Sequence, residues 1–328
     1  MIEIMSTGAL ATVQDIGRKG ALKWGVGASG AMDGLALSGG NVLLGNPEHA
    51  AAVEVQIFPF QIRFLKDCAF AVTGADCNAE LDELLLPPWW AHGAKAGQVL
   101  RLGFPARGAC AASRAYVCLA GGVEVPVVLG SRSTQLRGAF GGLEGRALRP
   151  GDRLSAGASS NAVRLGFGLC SPALSMPMLV DGLPAIRALP AAEYDAYTQA
   201  ARDSFWREPW KITPRSDRYG FRLEGTPLIP AAPIELRSHG IVPGVIQVPP
   251  DGQPIVQMRD AQPSGGYPKI ATVIEADLWR LGQAPIGSRI RFVEASWDEA
   301  VAALEVNERW IAEARRLVDL YRAKKRHC

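Results

Sequence analysis

The chain has 328 residues, of which 48% are hydrophobic and 20% charged, with a formal net charge of +3 and a sequence pI near 8.5. That length exceeds one ordinary core and points to two domains, and so mild a basic balance argues against nucleic acid as a partner. No uncharged apolar run reaches the about 18 residues of a membrane helix, and the opening MIEIMSTGAL lacks the basic and apolar regions of a signal peptide, so a cytoplasmic protein without membrane contact is expected.

The first feature in chain order is the glycine-rich stretch Gln14–Asp33, which contains Gly25-Val-Gly27-Ala-Ser-Gly30. The spacing matches a dinucleotide fingerprint, and Asp33 is placed to cap a helix carrying Leu35, Ala36, Val42 and Leu43 that Gly45-Asn46-Pro47 would stop. The residues ahead of the first glycine, Arg18 to Trp24, are charged and interrupted by Gly20, so the buried strand that a fingerprint requires is missing. No Gly-Lys-Ser or Gly-Lys-Thr occurs, which excludes a Walker loop.

Beyond it, 36 glycines and 23 prolines punctuate short β-like runs. These are Val53–Phe60, Ala69–Thr73, Val99–Leu102, Ala115–Leu119, Ile234–Leu236, Gly244–Val248, Ile255–Met258, Ile270–Ile274 and Ile290–Val293. Gly97, Gly151 and Gly287 each precede an alternating segment, which predicts similar barrel-type modules in both halves. Residues 155–161 read as a linker, placing the boundary near residue 180, and Pro190 through Phe205 reads as a helix with a first-turn proline. Ser296-Trp-Asp-Glu299 is a capping box opening a long C-terminal helix with Val301, Leu304, Ile311, Leu317, Val318 and Tyr321 on its stripe; the cations after Arg322 complement its dipole. The six cysteines (Cys68, Cys77, Cys110, Cys118, Cys170, Cys328) and four histidines (His49, His92, His239, His327) form no close sets, so buried free thiols are expected, and neither disulfides nor a metal site.

Four stretches gather polar residues among glycines: the opening one, residues 130–147, 213–226 and 238–271. In the second, Ser131, Arg132 and Arg137 offer a hydroxyl and guanidinium forks suited to a phosphate or carboxylate; the bland alternative pairs the arginines with Glu144 or Asp152. In the fourth, Asp260, Gln262, Gly265, Gly266, Tyr267 and Lys269 could position an amide-like substrate, with Lys269 facing an oxyanion, although Ser264-Gly-Gly266 also suits a hairpin turn and a lone lysine is usually solvated. His239 is the only histidine inside these stretches, and no Ser-His-Asp arrangement can be assembled.

Taken together, Gln14-Asp15-Ile-Gly17-Arg18, Ser29-Gly30-Ala31-Met32-Asp33, Gly138-Ala-Phe140-Gly141-Gly142, Ser216-Asp217-Arg218-Tyr-Gly220, Ile246-Gln247-Val248-Pro249-Pro250 and Gly265-Gly266-Tyr267-Pro268 resemble one family over almost the whole chain. It is the family of the 5-oxoprolinase C subunit, allophanate hydrolase subunit 2 and the biotin-dependent carboxyltransferase domain (KipA-like). The resemblance implies a mainly β fold of two cyclophilin-like β-barrel domains, residues 1–180 and 181–328, with a few helices including the long terminal one. It also implies one of three roles. The first is a component of an ATP-dependent 5-oxoprolinase that opens the lactam of 5-oxo-L-proline to L-glutamate, together with a KipI-like protein (subunit 1, or the B-like subunit) and an A-like subunit. The second is the carboxyltransferase component of a biotin-dependent urea carboxylase, and the third a non-catalytic regulator of a sensor-kinase inhibitor.

On the first reading ATP acts through the complex, and biotin belongs only to the second. Lys269 and Asp260 are the expected catalytic residues, with Ser131, Arg132, Arg137, Gln247, Gln262, Gly265, Gly266 and Tyr267 binding substrate. The chain departs from the family at Pro263-Ser264, usually a threonine pair, and at Ala191-Ala192, often Gly-Pro.

Overall fold

A computed structural model describes residues 1–106, 112–159 and 165–323. The chain forms two units: one comprises Met1–Arg18, Ser29–Met176 and the chain from Asn307 onward, the other Lys19–Ala28 and Pro177–Val306. A boundary near residue 180 would give everything after it to the second unit; the contacts instead assign the far end of the terminal helix to the first.

In the first unit a seven-stranded and a five-stranded sheet enclose one core. Alternation explains the inward faces: along Phe60–Phe64 the residues Phe60, Ile62 and Phe64 are buried while Gln61 and Arg63 are not. The helix Gly34–Leu44 covers the five-stranded sheet, capped as the sequence predicts by the Asp33 carboxylate, which accepts from the Ala36 amide at 2.9 Å, and ended by Gly45 at φ +71°. Under its N-terminus lies a polar cluster that no motif announces. The Tyr116 hydroxyl donates to Glu54 Oε2 at 2.7 Å and accepts from the Asp33 amide at 2.8 Å, and all three residues are buried.

The second unit closes on itself. Strands Leu183–Pro190, Lys269–Val273, Val245–Gln247, Ile255–Gln257, Gly220–Glu224, Trp210–Ile212 and Arg289–Glu294 pair in that order, and the last returns to the first in the only parallel pairing of the ring. Closure leaves no free edge, and the interior fills with Phe205, Trp210, Phe221, Ile246 and Phe292. Gly287, like Gly97 and Gly151 in the first unit, has a positive φ (+88°, +96° and +89°) ahead of a strand whose buried and exposed residues alternate, as the recurring sequence pattern predicts.

Other expectations change. Pro190 ends a strand rather than opening a helix; the helix is Gln199–Arg207, capped by Thr198, because the Leu183–Pro190 backbone satisfies itself in the barrel ladder. Ile234–Leu236 forms no strand. The terminal helix, Trp297–Ala323, begins with the expected box: the Ser296 amide donates to Glu299 Oε2 at 2.7 Å and the Glu299 amide to Ser296 Oγ at 3.2 Å. Of its anticipated stripe only Ile311 and Val318 are buried, while Val301, Leu304, Leu317 and Tyr321 are exposed. Ala303 and Ala314 take inward positions instead.

Candidate functional site

Lys269 opens a barrel strand directly after the loop residues Gly266, Tyr267 and Pro268 and stands opposite Gln247 in the ladder, where the register shifts by a bulge. It is only 9% exposed, so the bland alternative of a solvated lysine fails. Its ammonium donates to Glu193 Oε2 at 2.8 Å and contacts Nε2 of His239, and its backbone amide donates to the same Glu193 oxygen at 3.0 Å. His239 is brought there by the short pairing of His239–Gly240 with Ser264–Gly265; Ser264 and Gly265 therefore form strand rather than a hairpin turn. Glu193 follows the Ala191-Ala192 departure and is tied down because the Ala191 amide donates to the Ile270 carbonyl at 3.1 Å.

Beside this cluster the barrel carries a chain of carboxamides. Gln257 Nε2 donates to Gln247 Oε1 at 3.0 Å, and Gln247 Nε2 donates to the Tyr267 carbonyl at 3.3 Å. A Cβ on Gly265 would lie 2.6 Å from Gln247 Nε2, so the absent side chain is what lets Gln247 reach Tyr267. A cavity of about 610 Å³ is lined by Tyr197, Ile234, Leu236, Pro249, Gly266 and Tyr267 among others. Its walls are mainly apolar, the surface that suits a small organic ligand fixed by a few polar groups. Tyr197 is 2% exposed, and among the described residues its hydroxyl has no hydrogen-bond partner. Burial, and then the Glu193 charge, push its phenol well up, so it is a neutral donor. The amide oxygen of Gln257 is likewise buried and without a partner among the described residues.

The remaining expected residues divide. Asp260 is expected to be catalytic, but both its oxygens are held by Arg218, with Nε to Oδ2 at 2.9 Å and Nη2 to Oδ1 at 3.1 Å; at 5% and 3% exposure the two form a buried structural pair. Gln262 is half-buried, and Tyr267 is exposed at the cavity. Ser131, Arg132 and Arg137 belong to the first unit. There the Asp15 carboxylate organises the loop, accepting from Ser131 Oγ at 2.7 Å, Ser133 Oγ at 2.5 Å and the amides of Gly17 and Arg132 at 2.8 and 2.6 Å. The Ser131 hydroxyl is thereby committed to Asp15. Glu144 and Asp152 both pair with Arg146.

Glu193, Tyr197 and Arg218 escape sequence reasoning as site or partner residues, and His239 stands out in the sequence without a role. Glu193 carries no local signal, being 76 residues from its partner; Arg218 lies inside a family mark, the one clue available. Ahead of the Gly25–Gly30 stretch, Ala21–Trp24 is a single 3₁₀ turn flanked by left-handed Gly20 and Gly25, so the strand that a dinucleotide fingerprint requires does not precede it. Among the described residues no three His, Cys, Asp or Glu side chains are grouped to hold a metal. No described helix is long and apolar enough to cross a membrane.

Against known proteins, residues 24–294 match the model of the carboxyltransferase domain, subdomain A and B. The chain is 43% identical to the C subunit of 5-oxoprolinase from Escherichia coli over 313 residues, covering 95% of this chain and 97% of that one. It is 41% identical to the protein of the same name in Haemophilus influenzae over 319 residues, covering 97% and 99%. Among solved structures it resembles the K. lactis urea amidolyase with a TM-score of 0.86 and 28% identity, over 95% of this chain and 20% of that one. A family model spanning most of the chain and alignments running end to end have one reading: the chain belongs to the family of the carboxyltransferase domain, subdomains A and B.

Proposed function

We propose that this chain is one component of a cytoplasmic, ATP-dependent 5-oxoprolinase complex, in which it helps to open the lactam of 5-oxo-L-proline to L-glutamate with a KipI-like B-type partner and an A-like partner. The observation that carries the reading is similarity over nearly the entire length of both proteins to the 5-oxoprolinase C subunit. The site is compatible with it. An apolar cavity fits a small ring, and the Tyr197 hydroxyl can donate to an amide carbonyl; Lys269 does not line that cavity but is buried directly after the lining residue Pro268, and on this reading it is the cation for the oxyanion that forms when the carbonyl is attacked. On this reading ATP acts through the complex.

A second reading, the carboxyltransferase component of a biotin-dependent urea carboxylase, is favoured by the structural likeness to urea amidolyase. Mixing the chain with its A-like and B-like partners separates the two. ATP-dependent glutamate release from 5-oxoproline, absent with the chain alone, is the expected result. Turnover of urea with carboxybiotin and none of 5-oxoproline would replace the first reading by the second.

A further inference from the structure

We infer that His239 is a positioning residue for Lys269: held as the neutral tautomer protonated on Nδ1, it accepts an N–H from the Lys269 ammonium, and its protonation releases Lys269 and switches the site off toward acid pH.

The tautomer follows from the two neighbours of the ring. His239 Nδ1 lies 3.0 Å from the Arg237 carbonyl oxygen, which can only accept, so Nδ1 carries the proton. His239 Nε2 meets Lys269 Nζ, which as an ammonium can only donate, so Nε2 presents its lone pair. Both contacts demand the same form. The ring is held for them from outside the lysine's strand, by the pairing of His239 with Gly265, where a larger residue would push on Gln247.

The consequence lies in how the ammonium is oriented. One N–H goes to Glu193 Oε2 at 2.8 Å and a second to His239, and with two tetrahedral directions fixed the third is fixed as well. A donor held this way needs no reorganisation when negative charge develops on a bound carbonyl, whereas a lysine tied only to Glu193 can swing about that one contact. His239 thus supplies what the ion pair alone does not.

The same geometry makes the contact sensitive to protons. Among the described residues the carboxylate paired with Lys269 is Glu193, ahead of the short helical turn at Tyr194–Ala196, and the Tyr197 phenol, which feels Glu193, stays neutral. The Ser264–Gly265 strand contributes no charged or titratable side chain. When Nε2 is protonated, a donor faces a donor, a second positive charge stands beside the ammonium, and the lysine loses its second anchor.

The turnover part of the test rests on the lactam reading; the tautomer part does not. In the full chain by itself, ¹⁵N NMR of labelled imidazoles, with His239 assigned by its loss in H239Q, should show Nδ1 protonated and Nε2 bare at neutral pH, and K269A should relax the ring toward the mixed tautomers of a free imidazole. A protonated Nε2 at neutral pH overturns the inference whatever the complex does. In the reconstituted complex, H239A should lower kcat about tenfold or more at neutral pH with little change in KM. H239Q, whose amide oxygen accepts the same N–H but does not titrate in this range, should recover much of that loss and flatten the acid side of the pH profile. An acid limb that persists in H239Q refutes the switch. A wild-type complex with no turnover of 5-oxoproline sinks the lactam reading, and the NMR result then decides His239.

Discussion

Replacing Asp260 by Ala tests whether a carboxylate that looks catalytic in the sequence is structural. The substitution leaves the Arg218 guanidinium, 3% exposed, without the carboxylate that receives two of its N–H groups at 2.9 and 3.1 Å. Removing one partner of a buried ion pair costs about 3–5 kcal/mol, because the surviving charge keeps its desolvation penalty. At roughly 2–4 °C per kcal/mol for a unit of this size, the thermal midpoint should fall by about 6–20 °C. Urea denaturation followed by fluorescence, alongside calorimetry, gives both numbers. The cycle closes with Arg218→Met and the double variant Arg218→Met/Asp260→Ala, which should be more stable than the sum of the single losses by about 2 kcal/mol or more, since no lone charge remains buried. If Asp260→Ala unfolds within about 1 kcal/mol of the parent while turnover collapses, Asp260 acts on substrate and the structural assignment is wrong.

Lys269→Ala should lower turnover of the complex by about a hundredfold or more, the effect of losing one preorganised oxyanion donor, and unchanged turnover would remove Lys269 from the site. Because Lys269 is buried and paired with Glu193, the same variant should also lose about 1–3 kcal/mol of stability, read by denaturant titration. For the thiols, Cys170 is exposed, whereas burial pushes Cys77 and Cys118 up to about 12. In a Cys110→Ser/Cys328→Ser background, a disulfide reagent at mildly alkaline pH should label Cys170 in the folded chain and reach Cys77 and Cys118 only after unfolding; early labelling of either would contradict their burial. Glu299 is held below its ordinary value of 4.5 by the Ser296 amide and hydroxyl, so its cap contributes fully above 4.5 and is lost as pH falls through the lower folded value. Glu299→Gln should therefore flatten the pH dependence of unfolding below pH 4.5, and an unchanged dependence would mean the cap contributes nothing.

Local chemistry was legible in the sequence wherever one residue and its near neighbours decide the outcome. Asp33 and Gly45 bound a helix, Ser296 and Glu299 cap another, and Gly97, Gly151 and Gly287 turn the chain into strands, because capping and left-handed backbone are settled within a few residues. Lys269 stood out for the same reason, as a cation among glycines and amides in one short segment. Its partners did not. Glu193 and His239 reach it only because a closed barrel sets the start of one strand beside a distant turn and a two-residue strand pair, and no spacing encodes that meeting. Asp260 shows the converse: a carboxylate in polar company looks catalytic until folding buries it against Arg218, 42 residues away, and leaves both its oxygens occupied. The sequence by itself determined the β-rich character, the caps and turns, and which polar residues cluster along the chain. Tertiary structure alone decided which of them lose water and which charge each one meets, because desolvation and ion pairing depend on distances through space rather than along the chain.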